Sequence, residues 1–567
     1  MHIRTVFVLF VLCALFVVPT TSAQNELKTV GITKNNPEKS YNGYTLFSPL
    51  FYNTSYLIDN EGQLIQSWEH TGNAGAATYL LPNGNLLHAQ AAANEFFTFG
   101  GQGGIMREMD WDGNVVWEFF YSDSLRALHH DMAVLPNGNI LMIAWVYKSI
   151  EESIENGRDP ALLTGTGFWP EEIIEVQPTP PEGGEIVWRW DAWDHLVQDF
   201  DSTKANYGNV AAHPELIDIN FAPAANGDWL HFNAVNYNAE LDQIIISAPG
   251  FNEMWIIDHS TTTEEAAGHT GGNYGRGGDL LYRWGNPAAY RKSSPEGRQL
   301  GFQHDTQWIE PGLPGEGNLL VFNNQRSLDT LRFSNILEIS PAMGDPGFYP
   351  LADSVGFEIG EVVWKYEEPT SFWSDFASGV QRQPNGNTLI AEAATGRIFE
   401  VTPEGEVVWE YINPVTNNGP IADNQEVPSF FEAAPWRKAN GIFRAYRYSP
   451  DYAGLVGRDL TPKGRIEAVV VSNEEADLFQ ESFTLAQNFP NPVRSNTNIQ
   501  FTSPSSRQVT VTLFNMLGQE VRQLADAFYS AGEHTITLET GDLSAGVYVY
   551  QLVSEDIRLS RTMTVVR

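Results

Sequence analysis

Apolar residues along this chain gather in short runs broken by turn residues, with little of the three-to-four-residue spacing of a helix. Six of the runs close in the same way: a turn, a Gly, two or three apolar residues and a Trp, at Trp68, Trp117, Trp188, Trp284, Trp364 and Trp409. The sharpest copies read MDWDGNVVW (109–117) and VTPEGEVVW (401–409). A second unit alternates with the first. ATYLLPNGNLLHA (77–89), HDMAVLPNGNILMIAW (130–145) and ASGVQRQPNGNTLIAEA (377–393) are each two apolar runs joined by Pro-Asn-Gly-Asn, where Asn-Gly accepts the positive φ of a tight hairpin. The two units together predict about four strands per repeat, the content of one propeller blade. The expected fold class is all-β: a six-bladed β-propeller, with a small Ig-like β-sandwich after it.

Spacing between the Trp marks stretches in the middle of the chain, which predicts long insertions in the third and fourth repeats, where function tends to sit. Within them WDAWDHLVQDFD (190–201) has a helix-like period and predicts a short helix, with His195 either at the rim of the site or, on the plainer reading, exposed or capping. The Gly-rich run AGHTGGNYGRGGD (267–279) lacks the Lys of a phosphate loop and reads as a flexible insertion.

Composition sets the compartment. Residues 1–23 carry Arg4, an apolar run from Val6 to Val18 and the small residues Thr21-Ser22-Ala23, the pattern of a secretory signal peptide. The only cysteine, Cys13, lies inside it, so the mature chain is expected to have neither disulfides nor thiolate chemistry. Seventy acidic against 33 basic residues give a formal charge of −37, which argues against nucleic acid or anionic membranes as partners, and no later run is apolar enough for membrane insertion. Any anion site has to be built locally, from His, Arg and backbone N–H groups.

The strand language shortens after about Ser482. FTLAQNFPNPVRSNTNIQF (483–501), VTLFNMLGQEVRQL (511–524), GEHTITL (532–538) and LSAGVYVYQL (543–552) predict a small sandwich. Gln487-Asn488, Pro490-Asn491-Pro492, Asn515 to Gly518 and Gly546-Val547-Tyr548 closely resemble the C-terminal sorting domain of the type IX secretion system. The resemblance implies the secretion machinery as a partner and release to the cell surface or the medium. Expected boundaries are 1–23 signal peptide, 24–470 propeller, 471–482 linker and 483–567 sorting domain.

Three of the 12 histidines share one phase of the repeat. His130 begins HDMAV, His231 begins HFNAV and His304 begins HDTQW, each at the start of what should be the innermost strand of its blade, so the three imidazoles converge on the axis. Ala76 and Ser378 hold this position elsewhere, so the repeat itself does not demand His. Two plainer readings stand beside catalysis: inner-strand histidines satisfying buried backbone groups, with Asp131 and Asp305 orienting them, and a three-imidazole zinc site.

HHD (129–131), DWLHFNAVNYN (228–238), IIISA…MWIID (244–258), LLYRWGNP (280–287), GFQHDTQW (301–308) and FRAYRY (443–448) resemble, in order, the bacterial arylsulfate sulfotransferases. That family is a six-bladed propeller that passes a sulfuryl group from a phenolic sulfate donor to a phenol acceptor through a sulfohistidine, with no nucleotide donor, cofactor or metal. The resemblance implies His304 as nucleophile, His231 and Asn233 on the sulfate oxygens and His130 at the phenolic oxygen. His129 and Asp305 join Asn233 as expected substrate-binding residues. The resemblance also implies an Arg shortly after the strand that follows His231-Phe232-Asn233. Here IIISA (244–248) runs into Pro249-Gly250-Phe251 with no Arg, leaving Arg283 and Arg326 as candidates. A non-catalytic secreted propeller that binds a glycan, a phenolic ligand or a protein is the alternative reading.

Overall fold

The computed structural model describes residues 28–567 except 73, 225, 329–330, 353–355, 468–483, 504–506, 516–518, 531 and 555–556. The expected signal peptide and linker, with Cys13, lie outside the described residues. The chain divides into two units, residues 1–468 and 469–567.

In the first unit the described residues form six antiparallel sheets of four or five strands. The second runs outward from Ala74–Leu80, the third from Arg126–Val134, the fourth from Ala234–Asn238, the fifth from His304–Trp308 and the sixth from Gly379–Arg382. The first sheet is assembled from both ends of the unit, because Ile442–Tyr448 pairs antiparallel with Tyr44–Pro49 and becomes its inner strand. Gly31–Asn35 in turn adds a fifth strand to the sixth sheet by pairing with Val407–Ile412. The six inner strands touch in a closed cycle, first to second and onward to the sixth and back to the first. This is the architecture of a β-propeller.

The Trp repeat is explained by the same closure. All six residues sit on the fourth strand of their sheets, and each indole N–H donates to the turn that precedes the corresponding strand of the next sheet. Trp68 donates to the Asp110 carbonyl (3.0 Å), Trp117 to Gly183 (2.8 Å) and Trp188 to the Thr261 hydroxyl (3.2 Å). Trp284 donates to Gly360 (3.4 Å), Trp364 to Pro403 (2.8 Å), and Trp409 to Asn60 in the first sheet (2.8 Å), completing the circle. A large apolar ring with one polar N–H suits such a joint, since it fills the gap between sheets and satisfies a turn carbonyl. Each Pro-Asn-Gly-Asn forms its turn with Gly84, Gly138 or Gly386 at φ of 84°, 86° and 88°. The second Asn of each then donates to a carboxylate, Glu108, Glu175 or Glu400.

The helix expected over 190–201 is absent. The strand Gly184–Asp191 continues through Trp190, a 3-10 turn covers Ala192–His195, and Leu196–Val197 pairs in parallel with Ile217–Asp218. Burial of Trp190, Ala192, Leu196 and Val197 along a strand and a 3-10 turn is spaced closely enough to imitate a helical period.

The second unit has a three-stranded sheet (Thr484–Leu485, Asn496–Ser503, Gly532–Glu539) and a four-stranded one (Glu520–Tyr529, Arg507–Asn515, Gly546–Ser554, Ile557–Val565). Ile499, Phe501, Val511, Leu513, Tyr550 and Met563 fill the space between them, from strands that alternate buried and exposed residues as a sandwich requires.

Candidate active site

Of the three histidines expected to begin their inner strands, only His304 does so. His304 opens the fifth inner strand, His130 lies within the third, and His231 stands three residues before the fourth. All three rings are nearly or fully buried. His130 and His231 meet edge to face with centroids 4.7 Å apart. His304 lies near enough to both for their charges to interact.

The backbone here is unusual. Eleven non-glycine residues among those described have positive φ, and six of them belong to this ring: His130 (53°), His231 (55°), Phe302 (53°), Asp305 (53°), Ala377 (45°) and Ser378 (86°). Left-handed conformations cost non-glycine residues about 1–2 kcal/mol each and persist where surrounding structure imposes them, most often at functional sites.

Each ring is held by a different partner. His304 Nδ1 lies 2.8 Å from Asn324 Oδ1 and 3.1 Å from the Phe302 carbonyl. Asn324 Nδ2 donates to the Ser374 and Ala377 carbonyls, so its oxygen faces the imidazole and Nδ1 of His304 carries the proton. The lone pair therefore sits on Nε2, where it accepts the Ala377 N–H (3.1 Å). Burial pushes His304 from its ordinary 6.5 down to about 3, keeping it neutral. His231 Nδ1 is 2.5 Å from Asp228 Oδ2, whose other oxygen accepts the Trp145 indole N–H (3.0 Å). With Nδ1 on that carboxylate, the ring packs against Phe99 and Phe302, with centroids 5.4 Å and 6.0 Å away. His130 Nδ1 contacts His129 Nδ1 at 2.7 Å, and His129 is stacked on Trp145 (4.0 Å). Burial drives both of these histidines well below the usual range. Gly101 lies directly over His130, so close that a side chain there would overlap the ring.

A buried ion cluster drawn from all six sheets closes the floor of the site. Arg444, on the first inner strand, donates from Nη1 to Asp131 Oδ2 (2.7 Å) and from Nη2 to the Asn233 carbonyl (2.6 Å), and pairs with Asp305 Oδ1 at 3.3 Å. Asp131 also accepts the Val235 N–H (3.0 Å) and the Tyr79 hydroxyl (2.8 Å). Asp305 accepts the Val380 N–H (2.7 Å) and the Tyr446 hydroxyl (3.2 Å). Burial raises the Asp305 pKa and Arg444 opposes it. Asp131 thus ties the third inner strand to the first, second and fourth, Asp305 ties the fifth to the first and sixth, and the oxygens of both are engaged away from the histidine beside them in sequence.

Of the expected residues, the structure gathers His129, His130, His231, His304 and Asn233 in one place. Asn233 is fully buried, with Nδ2 donating to the Gln303 carbonyl (2.9 Å) and Oδ1 unpartnered. Asp305 is close by, with both oxygens engaged by protein groups. Arg283 is elsewhere, buried against Glu253 and the Pro214 and Leu216 carbonyls; the side chain of Arg326 lies outside what is described. His195 is fully buried rather than exposed or at a rim. Sequence reasoning missed Asp228, Asn324, Tyr79 and the cationic role of Arg444. The last was within reach, since Arg444 belongs to FRAYRY.

A β-propeller with a histidine cluster at the mouth of its inner strands is the class that fold and site define. The model of the arylsulfotransferase (ASST) family matches residues 29–335, more than half of the chain, and the chain belongs to that family. A secretion system C-terminal sorting domain matches residues 487–566. It assigns the chain to type IX export, to the cell surface or the medium, and no helix among the described residues is long and apolar enough to cross a membrane. No curated protein matches the chain. Solved structures similar to it include a protein of unknown function from Bacteroides caccae (12% identity, 72% of this chain and 99% of that one, TM-score 0.37). Others are a streptogramin B lyase (10%, 74% and 95%, 0.33) and AztD from Citrobacter koseri (10%, 88% and 98%, 0.30).

Proposed function

We propose that this exported protein moves a sulfuryl group from a phenolic sulfate ester to a phenol, with His304 as the nucleophile. The observation that carries the reading is the fixed neutral tautomer of His304: Asn324 holds the proton on Nδ1, and burial prevents a second proton from blocking Nε2. Nε2 attacks sulfur, the S–O bond to the aryl group breaks, and the sulfuryl group rests on the imidazole while Asn324 keeps Nδ1–H. The acceptor phenol then attacks the same sulfur, the N–S bond breaks, and Nε2 recovers its lone pair. Covalent capture divides one difficult transfer into two easier ones.

His231 is the best-placed proton carrier. Asp228 holds Nδ1–H, so Nε2 can give a proton to the departing phenolate and recover one from the incoming phenol. Phe99 and Phe302 pack against the His231 ring and offer apolar surface to an aryl ring. The Ala377 N–H, already at Nε2 of His304, is a donor for a sulfuryl oxygen once the N–S bond forms. Arg444, held by two aspartates, contributes its charge from behind the site in place of a direct clamp.

One contact favours a binding protein as the second reading: the Ala377 N–H occupies the attacking nitrogen. Release of nitrophenol from 4-nitrophenyl sulfate, with and without added phenol, separates the two. Acceptor-dependent release that disappears in His304→Ala supports transfer. Equal, negligible release from both proteins across a panel of aryl sulfates defeats it and leaves binding.

A further inference from the structure

A second histidine cluster stands apart from the inner-strand site, on the two central insertions. His195 ends the 3-10 turn Ala192–His195 of the third sheet's insertion, while His269 and Asp279 bracket the Gly-rich run of the fourth. Asp279 Oδ1 is 2.9 Å from His195 Nδ1 and 2.8 Å from His269 Nδ1. All the donor atoms lie within 4.8 Å of one another, the one group of three or more His, Cys, Asp or Glu among the described residues to gather so closely.

The decisive detail is on the far side of His195. Its Nε2 is 2.8 Å from the Ala266 carbonyl, which can only accept, so Nε2 carries the proton. In the neutral ring Nδ1 is then a bare lone pair facing a carboxylate oxygen at 2.9 Å, with the ring wholly buried. Two acceptors at that distance need either a second ring proton or a metal ion between them, and the His269 nitrogen on the same carboxylate oxygen supplies a further ligand for an ion. Trp190 is stacked on the ring (4° between planes), and the ring fits there because Gly278 carries no side chain, since a Cβ would stand 2.6 Å from Nε2. A backbone carbonyl on the outer nitrogen is also the usual support for a metal-binding imidazole.

We propose that His195, His269 and Asp279 bind a divalent first-row transition cation. Two imidazoles and one carboxylate suit zinc and its neighbours, where calcium or magnesium would call for an all-oxygen set. His269 is largely exposed (side chain 60%), so the fourth position opens to water and gives the ion a path in. The bound ion staples the six-glycine run 267–279 onto the segment that carries His195. It thereby orders a stretch whose glycines otherwise carry a large entropy of folding.

The test is calorimetric titration of the chelator-treated full chain with zinc chloride, beside His269→Ala and Asp279→Asn. His269→Ala removes an exposed ring and leaves the packing around His195 in place, which circular dichroism verifies. The expected result is one zinc per wild-type chain, at least tenfold weaker in both variants, with a zinc-dependent rise in melting temperature only in the wild type. Equal zinc affinity in wild type and His269→Ala, or no binding by the wild type, overturns the site and leaves a protonated His195 paired with Asp279. Loss of the zinc in His304→Ala, with His269→Ala unaffected, also overturns it by placing the ion among the inner-strand histidines.

Discussion

The inner-strand histidines and those of the outer insertions are the same residue put to opposite uses. His304 is flanked by an amide oxygen, a carbonyl and a backbone N–H, and burial holds it neutral. His259 has both ring nitrogens on carboxylates, Asp242 (2.7 Å) and Glu175 (3.0 Å). Burial pulls its pKa down, yet these carboxylates outweigh burial and raise it to about 9. Neutral partners preserve a nucleophilic lone pair, whereas carboxylates fill it with a proton or a metal. His231 lies between the extremes, with one carboxylate and one nitrogen left open, which suits a proton carrier.

The comparison can be broken most forcefully at Arg444. Arg444→Met leaves Asp131 and Asp305 buried without their cation, and chemical denaturation should show a loss of about 3–5 kcal/mol. A loss below 1 kcal/mol would mean that water or protonation replaces the arginine cheaply. Next is Asp228→Asn, which keeps the size of the side chain but removes the charge that orients His231. The expected fall in kcat for sulfuryl transfer is about 10²-fold, with a changed pH profile and little change in melting temperature. An unaltered pH profile would move the proton-carrying role to His130.

Acid and base should separate the two kinds of histidine. His304, at about 3, and His70, which burial lowers to about 4, both lie below their ordinary 6.5. The unfolded chain therefore binds more protons between those values, so stability is complete above pH ~6.5 and declines as pH falls toward 3. His259 has the opposite sign: its contribution is complete below ~6.5 and fades as pH rises through 9. Melting curves of wild type and His259→Gln should converge above pH 9 and differ most at or just below pH ~6.5. The smallest effect is expected at Trp364→Phe, which removes one indole bond to Pro403 and should cost about 1 kcal/mol.

What was legible in the chain follows from how local each signal is. The Trp marks recur in all six sheets and the Pro-Asn-Gly-Asn turns in three, so strand content and repeat could be read directly, whereas of the three histidines only His304 stands at the expected start of its inner strand. The helix forecast over 190–201 failed because the spacing of buried residues along a strand and a 3-10 turn resembles a helical period over so few residues. His195 was expected at a rim or exposed for the same reason, and only its packing against Trp190 and Gly278 buries it.

By itself, then, the sequence determined an all-β repeat and an exported chain with a sorting domain, and it singled out three histidines, at or near inner strands, that the structure brings together. Tertiary structure alone decided their chemistry. Arg444 reaches Asp131 across 313 residues because the last strand closes the ring. Asn324 fixes the tautomer of His304 from the neighbouring strand, and the positive φ of His130 and His231 has no local signature. Such features depend on which strands lie side by side, and adjacency across a closed ring is set by the whole chain rather than by any segment of it.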